Sequence, residues 1–164
     1  MNGFNWLLAM TTPRASASAA DALSRIGMPS GWSEMASARV VAKGDKGLMN
    51  LYNGGYEVYT KAGVLEAAQG IWSRGSTYVT VTVHLMQRPG QGAAFVNHWK
   101  KLSIKDKPKA TKAPGTGFTA GGNGAMNAWW ADGRWFVTIN VMPIDRNAEA
   151  LTGQVLDAVR KALK

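Results

Sequence analysis

Alternation of apolar and polar residues predicts a pair of β-strands in the middle of the chain. Residues 64–74 and 77–87 are separated only by Gly75-Ser76, and the second run alternates with a period of two. The two faces of this second strand are predicted to hold Val79, Val81, Val83 and Leu85 on one side and Tyr78, Thr80, Thr82, His84 and Met86 on the other. Such alternation across a short connection favours an antiparallel pair.

Three further strands are predicted on either side of this pair. Residues 35–43 precede it, and residues 118–130 and 134–142 follow it. The last two flank Asp132-Gly133, a dipeptide typical of a tight hairpin turn. Short turns between consecutive strands indicate an antiparallel sheet.

Helical spacing of apolar residues predicts three helices. The first covers residues 48–62 and contains Gly54-Gly55, a pair that would indicate close approach to another backbone. The second covers residues 93–102, and the third begins after a cap at Asp145. The apolar stripe of the third helix consists of Ala148, Leu151, Val155, Val159 and Leu163.

These elements together predict an α+β fold. We expect one antiparallel sheet of about five strands, with two to three helices packed mainly on one face or at the ends of the sheet. Residues 31–164 would form this single domain, and residues 1–30 an N-terminal arm.

The predicted arm contains an apolar patch from Phe4 to Met10, in which Phe4, Trp6 and Leu7 are candidates for contact with a partner. Small residues follow at 17–19, as at the end of a secretory signal. No Lys or Arg precedes the patch, and Asn5 interrupts it. Two interpretations stay open, an arm lying on the domain or a neighbour and a signal remnant. The second favours a peripheral, extracytoplasmic location over a cytoplasmic one.

Composition excludes several classes of site and gives the chain a positive charge. There are 19 Lys and Arg against 10 Asp and Glu, so the formal net charge is +9. The sequence contains no cysteine, which excludes disulfides, thiolate zinc sites, iron–sulfur ligation and cysteine nucleophiles. No run of eighteen apolar residues occurs, so no membrane-spanning segment is predicted.

The positive charge is concentrated within residues 100–112, where Asp106 is the single acidic residue. The basic residues are Lys100, Lys101, Lys105, Lys107, Lys109 and Lys112. Clustered lysines attract anions over about 8 Å at physiological salt. We therefore expect either a solvated loop or docking on an acidic protein surface or an anionic membrane surface. Nucleic acid is disfavoured because the run has neither arginine nor an aromatic residue.

A group of aromatic residues surrounds the Asp132-Gly133 turn. Adjacent strand residues point to opposite faces, so Trp129 and Trp130 are not both expected to be buried on one side. An outward tryptophan near Arg134 would be a suitable interface anchor.

No catalytic arrangement is visible in the sequence. His84 and His98 lie fourteen residues apart with no carboxylate at a ligand spacing, and a metal site with Glu66 or Asp106 would need long-range convergence. The carboxylates are scattered, and no Gly-x-Ser-x-Gly motif occurs. We expect no enzyme activity, no metal and no cofactor.

Residues 53–59 read Asn-Gly-Gly-Tyr-Glu-Val-Tyr and are followed by Ala-Gly-Val at 62–64. This stretch resembles the NGG-x-E-x-Y helix of an uncharacterised bacterial family of small, often exported α/β proteins. Residues 86–95 and the hairpin at 130–136 are also similar to that family, and the resemblance extends over residues 31–163. The order of elements is further similar to that of PsbP-like extrinsic proteins. Neither resemblance carries a catalytic set.

Two functions are compatible with these features. The first is a noncatalytic accessory or extrinsic subunit that docks on a larger, membrane-bound complex through the arm and the lysine-rich loop. The alternative is a small-molecule-binding or sensing domain with a cleft near Tyr56, Glu57 and Tyr59.

Overall fold

The computed structural model of the protein describes residues 17–164 and contains one antiparallel sheet between two layers of helices. The predicted α+β class with a single antiparallel sheet is confirmed. Within the described residues the sheet has eight strands, not about five, and there are five α-helices, not two or three. The strands are β1 (Ser33–Glu34), β2 (Val40–Lys43), β3 (Val64–Arg74), β4 (Thr77–Met86), β5 (Lys109–Ala110), β6 (Thr116–Gly122), β7 (Ala125–Asp132) and β8 (Trp135–Met142). The helices are α1 (Ala19–Ser24), α2 (Gly44–Tyr52), α3 (Glu57–Ala62), α4 (Gln91–Leu102) and α5 (Ala148–Ala162). The predicted partner contacts Phe4, Trp6 and Leu7 lie outside the described residues.

The spatial order of the strands is β1–β3–β4–β8–β7–β6–β5, and β2 also pairs with β3. The strand pair predicted from alternation is confirmed as β3 and β4, with Trp72 opposite Val79. On its other side β4 pairs with β8, where Val81 lies opposite Ile139. These long ladders place β4 in the interior of the sheet, so both of its edges are hydrogen-bonded.

Helices cover both faces of the sheet, and the expectation that they lie mainly on one face or at the ends is wrong. On one face α1 and α5 pack on Val79, Val81, Val83 and their neighbours in β8. On the other face α2, α3 and α4 pack on a core that includes Met86, Phe118 and Phe136. The reason is visible in β4, because Thr82, His84 and Met86 on its second face are as buried as the valines on the first. A sheet that is buried on both faces needs a layer of helices on each of them.

The helix predicted at 48–62 is two helices, α2 and α3. Asn53 adopts φ 44° and Gly54 adopts φ 105°, and this left-handed backbone ends α2. A Cβ atom at Gly54 would meet nothing within 4 Å. Gly54 is therefore required for its backbone conformation. The close approach to another backbone that the sequence had suggested does not occur at this residue. Helix α2 also begins earlier than predicted, at Gly44.

The strand predicted at 118–130 is likewise two strands, β6 and β7. Asn123 and Gly124 have φ values of 53° and 76°, as the two central residues of a type I′ hairpin require. An Asn-Gly pair is a strong hairpin signal. The prediction of a strand at 118–130 did not take this pair into account. The resulting hairpin supplies the strands that α4 covers.

Two other predicted segments differ in detail. The strand predicted at 35–43 is reduced to β2, because residues Ala36–Ala38 form a 3-10 turn. The segment predicted as a lysine-rich loop contains a 3-10 turn at Ile104–Asp106 and the short strand β5, which pairs with β6. Lys105 therefore lies in the 3-10 turn and Lys109 in β5, whereas Lys107 and Lys112 lie outside regular structure.

Helix α5 carries the predicted apolar stripe, and four of its five residues are buried. Leu163 packs partly buried against the same core. The N-cap is Asn147 and not Asp145, whose carboxylate instead accepts a hydrogen bond from the backbone N–H of Asn147 at 2.8 Å.

Helix α4 lies very close to β7 and β8 because a glycine faces them. A Cβ atom at Gly92 would lie 2.9 Å from the carbonyl oxygen of Trp135 and 3.0 Å from the Cβ of Ala131. Real Cβ atoms do not approach a backbone oxygen so closely, and Gly92 thus sets the height of α4 above the sheet.

Gly92→Ala should therefore destabilise the fold by about 1–3 kcal/mol, because the helix has to move away from the sheet. Gly153→Ala is the matched control, since Gly153 is exposed within α5 and a Cβ there meets nothing within 4 Å. Replacing a solvent-facing helical glycine by alanine should stabilise by about 0.5–1 kcal/mol. Urea unfolding of both variants should show changes of opposite sign in the free energy of unfolding. Equal stabilisation by both substitutions would contradict the close packing of α4.

Candidate functional site

The last turn of α4 carries Lys100 and Lys101, where positive charge is favoured by the helix dipole. The chain then reverses at Ser103, whose backbone N–H donates to the carbonyl oxygens of Trp99 at 3.0 Å and Lys100 at 3.2 Å. Ser103 is buried, with 8% of its surface exposed. This buried serine fixes the direction of the chain as it leaves the helix.

Two aliphatic side chains flank Ser103 and face solvent. Leu102 is 59% exposed and Ile104 is 70% exposed, the highest values among the large apolar residues that the structure describes. Lys105 and Lys107 follow, and both are exposed. We call this surface the Lys100–Lys107 patch; its members are Lys100, Lys101, Leu102, Ile104, Lys105 and Lys107. Its lysines were predicted from the sequence, whereas the exposure of its two aliphatic residues was not.

The remaining two lysines of the predicted cluster are differently placed. The Lys109 ammonium group lies 3.1 Å from the Glu149 carboxylate, which offsets its charge. The carbonyl oxygen of Lys112 accepts a hydrogen bond from the guanidinium of Arg160. The four lysines of the Lys100–Lys107 patch form no ion pair with any residue in the described range 17–164. The bond to Arg160 leaves the Lys112 ammonium group without an ion pair in the described range as well. Four unpaired lysines therefore lie close in sequence to Leu102 and Ile104, with the exposed Asp106 among them.

The two tryptophans predicted to supply an exposed anchor do not do so. Trp130 is 2% exposed, and its indole N–H donates to the carbonyl oxygen of Pro114 at 3.0 Å. Trp129 points to the other face, where it is half-buried and stacks on Phe118 with ring centroids 4.6 Å apart. The two side chains do point to opposite faces, as predicted. Both are covered because both faces of the sheet carry helices.

Arg134 lies in the hairpin between β7 and β8 and is exposed. Its Nε–H group donates to the carbonyl oxygen of Met86 at 2.9 Å. This bond ties the hairpin to the end of β4, so the guanidinium has a structural contact where the sequence had suggested an interface role.

The three residues predicted to line a ligand cleft differ in their surroundings. Glu57 is exposed in the first turn of α3, and Tyr56 is half-buried against the core below α2–α4. Tyr59 is stacked on Tyr52 with ring centroids 3.7 Å apart and an interplanar angle of 7°. Of the three, Tyr59 is thus part of an aromatic cluster and Glu57 faces solvent.

At the centre of this aromatic cluster lies His84, which is completely buried. Its Nδ1–H donates to the carbonyl oxygen of Phe136 at 3.0 Å, which leaves Nε2 as the acceptor for the hydroxyl group of Tyr52. Burial lowers the pKa of His84 from 6.5 to about 4, and it raises the pKa of Tyr52 and of Tyr59 above the ordinary value. A neutral imidazole with a fixed tautomer and two satisfied nitrogens is a structural element of the core.

The second histidine is separate from the first. His98 is exposed on α4, where its ring lies 5.9 Å from that of Phe95. Within residues 17–164 no three His, Asp or Glu side chains are grouped in a way that could hold a metal ion. The long-range convergence with Glu66 or Asp106 that a metal site would need does not occur there. Across the same residues, no helix combines the length and apolar character that crossing a membrane requires.

A groove of about 500 Å³ lies between α3 and α4. It is lined by Val58, Lys61, Ala62, Gln91, Ala94, Phe95 and His98. The lining residues from α4 are three or four positions apart in the sequence, so they lie on one face of the helix. The groove was not predicted from the sequence, because its two walls meet only when α3 packs against α4.

The burial of His84 predicts how stability depends on pH. Its pKa is depressed in the folded protein, so below pH 6.5 the unfolded chain binds a proton that the folded chain does not. Stability should therefore fall as the pH falls from about 6.5 to about 4, by about 3 kcal/mol from this residue. Urea unfolding across this range tests it: His84→Gln should lose this part of the slope, and His98→Gln, which removes the exposed histidine, should keep it. An equal slope in His84→Gln and the unmodified protein would contradict the assignment.

Removal of the Tyr52 hydroxyl group should leave a buried acceptor on His84 without a partner. We expect Tyr52→Phe to destabilise the protein by about 1–3 kcal/mol in denaturant unfolding. Tyr78→Phe is the control, because Tyr78 is 45% exposed and its change should be within about 0.5 kcal/mol. Indistinguishable stabilities of the two variants would mean that the Tyr52–His84 hydrogen bond contributes nothing.

Comparisons with known proteins find a likeness in fold but no family. No family model matches the sequence, and no curated protein matches it. Among solved structures, the fold is similar to the extracellular domain of PknH from Mycobacterium tuberculosis, with a TM-score of 0.49 and 16% sequence identity over 88% of this chain and 92% of that one. A likeness at this level carries no argument about function.

Proposed function

We propose that this protein is a noncatalytic accessory domain that docks peripherally on an anionic membrane surface through the Lys100–Lys107 patch. The observation that carries the proposal is the exposure of Leu102 and Ile104 among four lysines that have no ion-pair partner in residues 17–164. Docking beside a membrane-bound complex, as a subunit of it, is the setting that the sequence analysis favoured.

The combination of charge and exposed aliphatic groups favours a lipid surface over an acidic protein. Lysines near an anionic bilayer gain electrostatic energy, and aliphatic side chains between them gain by entering the boundary between headgroups and acyl chains. Ser103 is buried between the exposed Leu102 and Ile104. This exposure is present before any partner binds, so little ordering is needed on docking.

The noncatalytic part of the proposal rests on the chemistry of the side chains. Cysteine is absent from the sequence, and His84 is neutral and enclosed. Glu57, predicted from the sequence to lie near a ligand cleft, is exposed in the first turn of a short helix. Membership of the family with the NGG-x-E-x-Y helix stays a prediction and would be compatible with this role.

Sedimentation of the full chain with lipid vesicles tests the proposal. We expect binding to vesicles that contain phosphatidylglycerol, no binding to pure phosphatidylcholine, and release as salt is raised towards 1 M, where the Debye length falls to about 3 Å. Lys105→Gln/Lys107→Gln should weaken vesicle binding by at least about tenfold, since each lysine near an anionic surface contributes about fivefold. Leu102→Ser/Ile104→Ser should also release the protein.

Two control variants keep the comparison matched. Lys43→Gln/Lys46→Gln removes the same charge from exposed residues elsewhere, and Met49→Ser removes an exposed apolar side chain from α2. Both should bind the anionic vesicles as the unmodified protein does. Equal losses in patch and control variants would show only a general effect of net charge and overturn the proposal. So would an absence of binding to anionic vesicles, including a case in which the chain binds an acidic protein instead.

A further inference from the structure

We propose that the groove between α3 and α4 binds an amphipathic anion, a single acyl chain that ends in a carboxylate. This binding site is separate from the Lys100–Lys107 patch, and the proposal goes beyond peripheral docking. It rests on the size of the groove, the character of its walls and the sign of the charge at its rim.

The size and walls of the groove fit an acyl chain. Its volume of about 500 Å³ lies within the range of about 300–1,000 Å³ that small-molecule sites occupy. Four of the seven lining residues present only apolar groups: Val58, Ala62, Ala94 and Phe95. Because alanines occupy one position on each wall, the space between the helices stays open. An extended apolar molecule could fill it without displacing a side chain.

The rim of the groove carries positive charge and no negative charge. Lys61 is exposed and forms no ion pair with a residue in the described part of the chain. His98 supplies a ring N–H, and no carboxylate is among the lining residues. Glu57 lies one turn before Lys61 on α3, but it does not line the groove. The charge complementarity therefore favours an anionic ligand over a cationic one.

The third polar side chain of the groove is already engaged. The Oε1 atom of Gln91 accepts a hydrogen bond from the backbone N–H of Arg88 at 2.8 Å, and its amide lies over Gly63, where a Cβ atom would collide with it. Gln91 therefore holds the start of α4 against the end of α3. The groove thus offers one ammonium group and one imidazole, which suits a single carboxylate and not a sugar or a nucleotide with many polar groups.

The wall beneath the groove is rigid. Phe95 is 3% exposed. Its ring packs edge-on against Tyr59, with centroids 5.4 Å apart, and at a tilt of 41° against Phe136, with centroids 4.7 Å apart. Tyr59 is in turn stacked on Tyr52, which binds His84. The aromatic cluster thus preforms the wall, and ligand binding would need little reorganisation.

Titration of the full chain with decanoate, followed by proton NMR and calorimetry, tests this proposal. The chain has two histidines, so their ring signals report on two places at once. We expect decanoate to shift the signals of His98, which lines the groove, and to leave those of the buried His84 in place. Decyltrimethylammonium should bind at least about tenfold more weakly, and Lys61→Gln should weaken decanoate binding by about tenfold.

A variant that fills the groove provides the decisive comparison. Ala94→Phe places a ring between the walls from an exposed position, and it should abolish the shift of His98. Asn97→Phe, also exposed on α4 but outside the groove, is the control and should retain binding. Unchanged His84 signals show that each variant is folded.

Three results would overturn the proposal: decanoate binding without a shift of His98, equal affinity for decanoate and the cationic amphiphile, or unchanged affinity in Ala94→Phe. Binding of Ala94→Phe to anionic vesicles should stay as in the unmodified protein. A failure of the groove and a failure of membrane docking are therefore distinguished by different variants and different measurements.

Discussion

Burial of β4 on both faces is the constraint on which the rest of the structure depends. Its valines lie against α1 and α5, and Thr82, His84 and Met86 lie below α2–α4. Neither layer of helices can be removed without exposing one side of this strand. A histidine at such a position has to be neutral and hydrogen-bonded, since a buried charge without a partner is costly. The bonds from His84 to Phe136 and Tyr52 meet this requirement and connect the sheet to α2.

Helix α4 links this constraint to both surfaces that we consider functional. Gly92 brings the helix down onto β7 and β8, and Phe95 inserts its ring into the core. Because Gly92 and Phe95 fix the side of the helix that faces the sheet, its last turn, which includes Leu102, is exposed to solvent next to Ile104. Its lateral side faces α3 across an unfilled gap. One well-packed helix therefore separates a charged docking patch from an apolar groove.

The elements that the sequence predicted well have a strong local signal. Strand β4 alternates over its ten residues, and α5 has an apolar stripe along its full length. The errors arose where a short backbone signal competed with a longer pattern. A continuous strand was predicted across Asn123-Gly124 and a continuous helix across Asn53-Gly54. Both pairs adopt a left-handed backbone, which ends the element in each case. The sequence shows that the lysines lie close together along the chain, but it gave no information on which of them Glu149 would pair with.

By itself the sequence determined the α+β class, the single antiparallel sheet, the positive charge near residue 105 and the absence of cysteine chemistry. These follow from local periodicity and from composition, which need no knowledge of distant contacts. Only the tertiary structure decided that both faces of the sheet are covered, that Trp129 and Trp130 are both packed, and that α3 and α4 leave a groove between them. Those features depend on contacts between residues far apart in the chain, and a local pattern of hydrophobicity does not specify which face will meet which.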